Sequence, residues 1–463
     1  MSQEFNRQWT PDSWKSKPIH QAVQYDNPET FKQAIDKISH LPPLVNHVEV
    51  QNLRNKLREV ALGKSFLLQG GDCAELFDYC TQSQIENKLK VLLQMSLVLI
   101  WGARVPVVRI ARMAGQYAKP RSKPTEVIDG VEYPSFRGDN INGYELDQRD
   151  PDPERLVKAY FHSAATLNYV RSILSTGFAD LHDPSHWNLG HVQNQSLREE
   201  YQTVVSQISS SMNFMEVIGA VKANGLTPQE IKAVDIFMSH EALMLDYEGA
   251  LCRKFIDKDG VTKYYVSSGH YLWVGDRTRQ LDCAHVEFLR GVVNPIGIKV
   301  GPTTVPEELI KILDTLNPNK EIGKISLITR FGANKVETYL PKIIEAVQES
   351  GHIVVWVCDP MHGNTESSVN GLKTRHFDNI LKELGECLRI HKNHQSKLNG
   401  VHFELTGDSV TECIGGSMQL ESSDLPSNYQ TYCDPRLNYE QSLDMSFMIS
   451  KYFEKERSGF NTL

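Results

Sequence analysis

The chain has no apolar run close to the roughly 20 residues that a membrane helix requires. Its longest candidate, Val91 to Ile100, is interrupted by Gln94 and Ser96. The opening stretch MSQEFNRQWTPDSWKSKPIH has neither the apolar core of a secretory signal nor the Arg and Ser richness of a transit peptide, so a cytoplasmic location is expected. Cysteine is scarce: eight in 463 residues, none spaced CxxC, which excludes a disulfide framework and a structural zinc ribbon. Positive charge is not in excess either. With 49 Lys and Arg against 57 Asp and Glu, the net charge is -8, and no whole-molecule field draws nucleic acid or an anionic membrane. Anionic ligands would need local clusters of basic residues. Internal repeats, low-complexity tracts and linkers are also missing, so nothing separates two independent domains.

What the sequence does contain is a series of short β-branched runs, each closing on a Gly, Asp or Pro loop ahead of a helical pattern. They are FLLQGGD (66–72), PVVRIARM (106–113), HYLWVGD (270–276), PIGIKVG (295–301), KISLITRFG (324–332), HIVVWVCDP (352–360) and GVHFELTG (400–407). A weaker run, GFADLHD (177–183), brings the count to eight. Fully apolar strands alternating eight times with helices predict an α/β fold, a (β/α)8 TIM barrel rather than an open doubly wound sheet, over residues 66–463. Residues 1–65 precede it as an N-terminal extension, broken by LPP at 41–43 and holding a helix at 48–62. The interval from Asp183 to His270 is too long for one crossover, so extra helices are expected between strands 3 and 4, at about residues 190–250. The stretch QEIKAVDIFMSHEALMLDYEGAL (229–251) is read as one of them.

In such a barrel, chemistry sits where the strands finish. Strand one runs into Cys73, strand seven into His362, strand eight carries Glu404, and the loop beyond carries Asp434. A lone buried cysteine is more often small packing than a ligand, and an Asp before Pro often only starts a turn. Convergence of thiol, imidazole and two carboxylates on one face favours instead a divalent cation of the manganese, iron, cobalt or zinc kind over magnesium or calcium. A second set is cationic: Arg112, then Lys119, Arg121 and Ser122 in KPRS, Arg277 in GDRTRQ, Lys299 and Arg330. Scattered Lys and Arg usually mark a solvated face. Lys299 and Arg330, however, terminate strands too apolar to lie at the surface, and the set implies phosphate or carboxylate ligands. One metal beside cations for two anionic substrates points to carbonyl addition on phosphorylated compounds.

The strings RIARMAGQYAKPRS (109–122), GDRTRQ (275–280), NPIGIKVGP (294–302), CDPMHGNT (358–365), HFELTG (402–407) and CDPRLN (433–438) resemble those of type II 3-deoxy-D-arabino-heptulosonate 7-phosphate synthases, and the likeness runs from about residue 45 onward. The resemblance implies condensation of phosphoenolpyruvate with erythrose 4-phosphate, the first step of the shikimate pathway to aromatic amino acids. It implies Cys73, His362, Glu404 and Asp434 as ligands of one divalent metal, manganese or cobalt first, with zinc, iron and cadmium as alternatives. It implies Arg112, Arg277, Lys299 and Arg330 as phosphoenolpyruvate contacts, and Lys119, Arg121 and Ser122 as the segment receiving the aldose phosphate. Lys119 and His362 are the two candidate proton donors to the new alkoxide. One departure stands out: where the family usually has Glu in GERTRQ, this chain has Asp276, shorter by one methylene, and if that carboxylate positions the attacking water the shortening is expected to lower activity or to let another water intervene.

Two other readings remain at this level. A related phosphoenolpyruvate-dependent synthase acting on another sugar would differ only in its aldose pocket, and a catalytically silent regulatory paralogue would show broken ligands, which this sequence does not. The regions beyond a minimal barrel suggest interfaces, in a homo-oligomer, or effector sites, and the resemblance points to aromatic amino acids as the effectors. Cys433, directly before Asp434, is expected beside Cys73, where oxidation of metal-free protein would close a disulfide if the two Cα atoms lie within about 7 Å.

Overall fold

Two asparagines start the first two helices. Asn27 accepts hydrogen bonds from the backbone of Glu29 and Thr30, and Pro28 supplies a preset first turn, giving α1, Pro28–Ser39. Asn46 and Glu49 form a reciprocal capping box that opens α2, His47–Ala61, where a helix was expected. The computed structural model describes residues 9–128, 130–175, 192, 194–217 and 235–459.

Beyond α2 the chain forms eight parallel strands: β1 Phe66–Gly71, β2 Val107–Arg112, β3 Ile236–Glu241, β4 Tyr271–Val274, β5 Ile296–Val300, β6 Ile325–Thr329, β7 Val355–Cys358 and β8 Gly400–Glu404. They close into a barrel in which β1 pairs with both β2 and β8, so the TIM-barrel expectation holds. Helices α3 Gln82–Ala103, α4 Glu154–Ser175, α5 Gln195–Val217, α6 Leu245–Ala250, α7 Ala284–Leu289, α8 Pro306–Leu316, α9 Val336–Ser350, α10 Phe377–Asn393 and α11 Tyr439–Arg457 follow or separate them. Among the described residues, no helix is long and apolar enough to cross a membrane.

The third strand corrects the sequence reading. It is IFMSHE, inside the stretch expected to be helical, whereas GFADLHD (177–183) lies outside the described residues. Five consecutive buried residues in β3 form a run too short for periodicity to separate strand from helix. Parallel pairing with β2 on one side and β4 on the other decides the matter. The extra helices α4 and α5 consequently sit between strands 2 and 3, not between 3 and 4. Strands 3 and 4 are joined by α6 and a hairpin of Cys252–Ile256 with Thr262–Val266.

The barrel interior is apolar at its N-terminal end. Leu53, Leu57 and Val60 from α2 pack there with Leu67, Val108, Ile110, Phe237, Ile328, Val355 and Val357. The helix before the first strand is thus a plug, and its apolar stripe at three- and four-residue spacing is what lets it fill that end.

Candidate active site

The strands finish at the opposite end on residues of another kind. Inward-facing positions two residues beyond the apolar layer are Arg112 on β2, Arg330 after β6 and Asp359 after β7, with Lys299 on β5 and Glu404 on β8. They surround a cavity of about 350 Å³ lined by Arg112, Lys119, Arg121, Ser122, Asp276, Arg277, Lys299, Arg330, His362 and Asp434, together with Glu241 and Cys433. Cys73 and Glu404 lie just beneath it, fully enclosed. Every residue singled out from the sequence therefore lines this mouth or lies directly under it.

The donor atoms of Cys73, Glu404 and Asp434 lie within 4.8 Å of one another. The ammonium of Lys119 sits among them, 2.7 Å from Cys73 Sγ, 2.8 Å from Asp434 Oδ2 and 3.5 Å from Glu404 Oε1. His362 joins from the side, with Nε2 2.9 Å from Glu404 Oε1 and Nδ1 2.7 Å from Asp359 Oδ2. A carboxylate on one ring nitrogen that leaves the other aimed at the cluster is the usual way a metal-binding histidine is oriented. Cys73, Glu404 and Asp434 fit a divalent metal on this chemistry, sulfur and oxygen donors converging on a point that already attracts a cation, and His362 meets the group through Glu404.

The charge state of the cluster follows its neighbours. Burial works to raise the Glu404 carboxyl, but His362, Lys119 and Arg375 outweigh it and hold the group well below the ordinary range. Asp434 behaves alike: burial opposes its charge, Lys119 favours it, and the result is a strongly acidic carboxyl. Burial, then a hydrogen bond with Cys433, pushes the Cys73 thiol well up, so a bound cation is what would favour its thiolate. Burial disfavours charge on Lys119, yet Asp434, Cys73 and Glu404 together keep it firmly protonated.

The cations differ in how committed they are. Arg112 donates from Nε to Asp72 O and from Nη2 to Cys73 O and Glu404 Oε1, and Nη1 meets His402, which occupies most of its five donors within the protein. Lys299 is enclosed and paired with Asp359. Arg330 donates to His362 O and lies 3.5 Å from Asp276. Arg277 and Ser122 face the cavity without a hydrogen-bond partner among the described residues. Asp276 is held by Arg279 at 3.0 Å, which draws its carboxylate along the rim.

Several contributors escaped the sequence reading. His402 could have been found, because it lies two residues before Glu404 on the same inward face of β8. Asp359 was visible inside CDPMHGNT as the residue at the strand end. Glu241, at the end of the misread third strand, faces the cavity with Oε1 unpartnered and its carboxyl raised by burial. Arg375, completely enclosed against Glu404 Oε2 at 2.8 Å, has no local sequence signal. Cys73 and Cys433 are both free thiols and pack in one small cluster with Ala74 and Phe136.

Residues 9–450 match the family model described as "Class-II DAHP synthetase family". A phospho-2-dehydro-3-deoxyheptonate aldolase of Neurospora crassa is 52% identical over 462 residues, covering 97% of this chain and 95% of that one. Enzymes of the same name from Streptomyces coelicolor and Mycolicibacterium smegmatis are each 45% identical, covering 96% and 95% of this chain and 97% and 94% of their own. The chain belongs to the class-II DAHP synthetase family and is an enzyme of that transferase type.

Proposed function

We propose that the mouth of the barrel carries out metal-dependent condensation of phosphoenolpyruvate with erythrose 4-phosphate, giving 3-deoxy-D-arabino-heptulosonate 7-phosphate and inorganic phosphate, the first step toward aromatic amino acids. The observation that carries this reading is the Cys73, Glu404 and Asp434 cluster, already occupied by an ammonium, under a cavity whose remaining wall is cationic. Cys73, His362, Glu404 and Asp434 would hold one divalent ion, manganese or cobalt first, whose contribution when bound is to polarise the aldehyde carbonyl.

The protein's own groups perform the rest. Arg277, Arg330 and Lys299, with the remaining donor of Arg112, hold the phosphate and carboxylate of phosphoenolpyruvate, and the planar guanidinium fork suits both anions. Lys119, Arg121 and Ser122 receive the aldose phosphate. As the enol carbon attacks the aldehyde carbon, the new alkoxide oxygen takes a proton from Lys119 Nζ or from His362. Water then adds to the carbon bearing the phosphate, and phosphate leaves by carbon–oxygen cleavage. Asp276 stays on the rim of the same cavity, where its pairing with Arg279 and Arg330 links it to the phosphoenolpyruvate side.

We assign residues 66–463 to catalysis and residues 1–65, with α4 and α5, to additions that suit homo-oligomer contacts and aromatic amino acid effectors. The decisive test is to mix purified protein with phosphoenolpyruvate and erythrose 4-phosphate, with and without a chelator, and follow loss of the enol absorbance. Chelator-sensitive consumption requiring that aldose supports the reading. Consumption unaffected by metal removal, or obtained only with a different aldose, refutes it.

A further inference from the structure

The KPRS loop carries the proposed aldose-phosphate residues, yet it belongs to no helix or strand, so something outside the barrel must fix its backbone. Two hydrogen bonds do so. The Lys119 amide donates to Arg137 O at 2.8 Å, and the Arg121 amide donates to the side-chain oxygen Gln21 Oε1 at 2.9 Å. Arg137 in turn reaches the N-terminal segment, with Nη2 donating to Gln21 O at 2.5 Å and Nη1 to Ala22 O at 3.1 Å. Gln21 thus offers both its side-chain and its main-chain oxygen to this side of the cavity.

The segment holding Gln21 is itself tied to the other side. Pro18 O accepts from the Ala284 amide at 2.9 Å, and the Trp9 indole donates to Glu287 O at 3.0 Å. Ala284 and Glu287 belong to α7, which follows GDRTRQ and its cavity residue Arg277. The Trp9 ring lies so close to Gly291 that an added Cβ would stand 2.0 Å from it, which fixes the approach. Pro18 and Gln21 are three residue steps apart, at most about 11 Å of chain, so the strap links α7, which follows the cavity residue Arg277, to the KPRS loop. Gln21 itself adopts φ 61°, a left-handed conformation uncommon for a residue with a Cβ, retained where surrounding contacts specify it.

We propose that Gln21 is a positioning residue for the aldose phosphate, acting through the Arg121 amide to set the KPRS loop. The inference rests on the assignment of that loop to erythrose 4-phosphate. Removing Gln21 Oε1 leaves a half-buried N–H without its acceptor and frees the loop, while phosphoenolpyruvate, held by Arg112 within β2 and by Arg277, Lys299 and Arg330 from other strand ends, keeps its contacts.

Steady-state kinetics of full-length Gln21→Ala, with Arg121→Ala beside it, test this. The expected result for Gln21→Ala is a KM for erythrose 4-phosphate raised about three- to tenfold, the range of one hydrogen bond. The KM for phosphoenolpyruvate and the melting temperature should stay at their wild-type values, and Arg121→Ala should raise the same aldose KM. If Arg121→Ala raises it and Gln21→Ala does not, the strap's role falls while the loop assignment stands. If Arg121→Ala leaves it unchanged, the loop assignment falls and takes the strap's role with it. Equal rises for both substrates, or a loss that tracks a fall in melting temperature, also overturn the proposal.

Discussion

The two ends of the barrel are built by the same strands and differ completely in chemistry. At the N-terminal end, Leu53 and Leu57 of α2 fill a dry layer with Val108, Ile110, Val357 and their neighbours. Two residues further along those strands, the inward positions become Arg112 and Asp359, as enclosed as the valines below them. Burying charge is costly unless every charge finds a partner, so the upper end is a closed network: Arg112 and Arg375 on Glu404, Lys299 and His362 on Asp359. Apolar burial below offsets that cost. In this fold stability and chemistry are neighbours along each strand, and separating them by mutation depends on which layer is touched.

The substitution with the largest expected effect breaks that separation. Glu404→Ala should abolish turnover, by at least about a thousandfold, and also leave Arg112, Arg375 and Lys119 facing one another, a loss of roughly 3–5 kcal/mol. His362→Ala sharpens the contrast, because its side chain is 21% exposed and its removal should stop turnover and weaken metal binding without that stability loss. Rate, bound metal and chemical denaturation measured on both variants decide it. Equal stability of the two would contradict the network account.

Leu57→Ala addresses the other end alone. Truncating a fully enclosed leucine in the plug should cost about 2–5 kcal/mol in denaturation while leaving kcat at 25 °C near wild type. A fall in kcat without loss of stability would show that the plug communicates with the mouth. Arg330→Ala is smaller and sits at the upper rim, where the side chain is 25% exposed. Losing one charged contact to an anion should raise the KM for phosphoenolpyruvate about ten- to a hundredfold and leave denaturation unchanged. An unaltered kinetic profile would remove Arg330 from the substrate wall.

The same layering explains what could be read from the sequence. Strands whose apolar run ended in a polar loop were legible, and so were the residues at those strand ends and loops, Cys73, Lys299, Arg330 and His362 among them. β3 was misread because the short apolar run IFM is followed, after Ser239, His240 and Glu241, by ALML, and the two runs together imitate one helical pattern. That error concealed Glu241 and displaced the inserted helices by one strand. Arg375 and Glu383 were illegible for a different reason. They act through contacts with residues brought near only by closure of the barrel, and no spacing in the chain announces such a contact.

Glu383 yields the smallest effect and the finest test of the comparison, because it is a charge on a helix outside the barrel serving loops at the mouth. From α10, its Oε1 accepts the amides of Phe331 and Gly332 at 2.8 and 2.9 Å, and its Oε2 accepts Asn364 Nδ2 at 2.7 Å. It therefore ties the loop after Arg330 to the loop after His362. Burial raises its pKa to about 7; the two amides and Asn364 pull down, and Asp359 pushes further up. In the unfolded chain the group titrates near the ordinary glutamate value of about 4.3. Between those values the folded protein holds a proton that the unfolded chain has released, so stability contributed by this group is full below the lower value and declines as pH rises through about 7. Glu383→Gln removes that titration. The amide cannot reproduce every bond, since its nitrogen would face Asn364 Nδ2, so the variant is expected to be less stable throughout, and the informative quantity is the slope. Denaturation midpoints from pH 5 to 8 should fall less steeply for the glutamine variant than for wild type, by a difference of at most about one proton. Parallel profiles would mean that Glu383 remains ionised across the range, and that its three donors outweigh the cost of enclosing it.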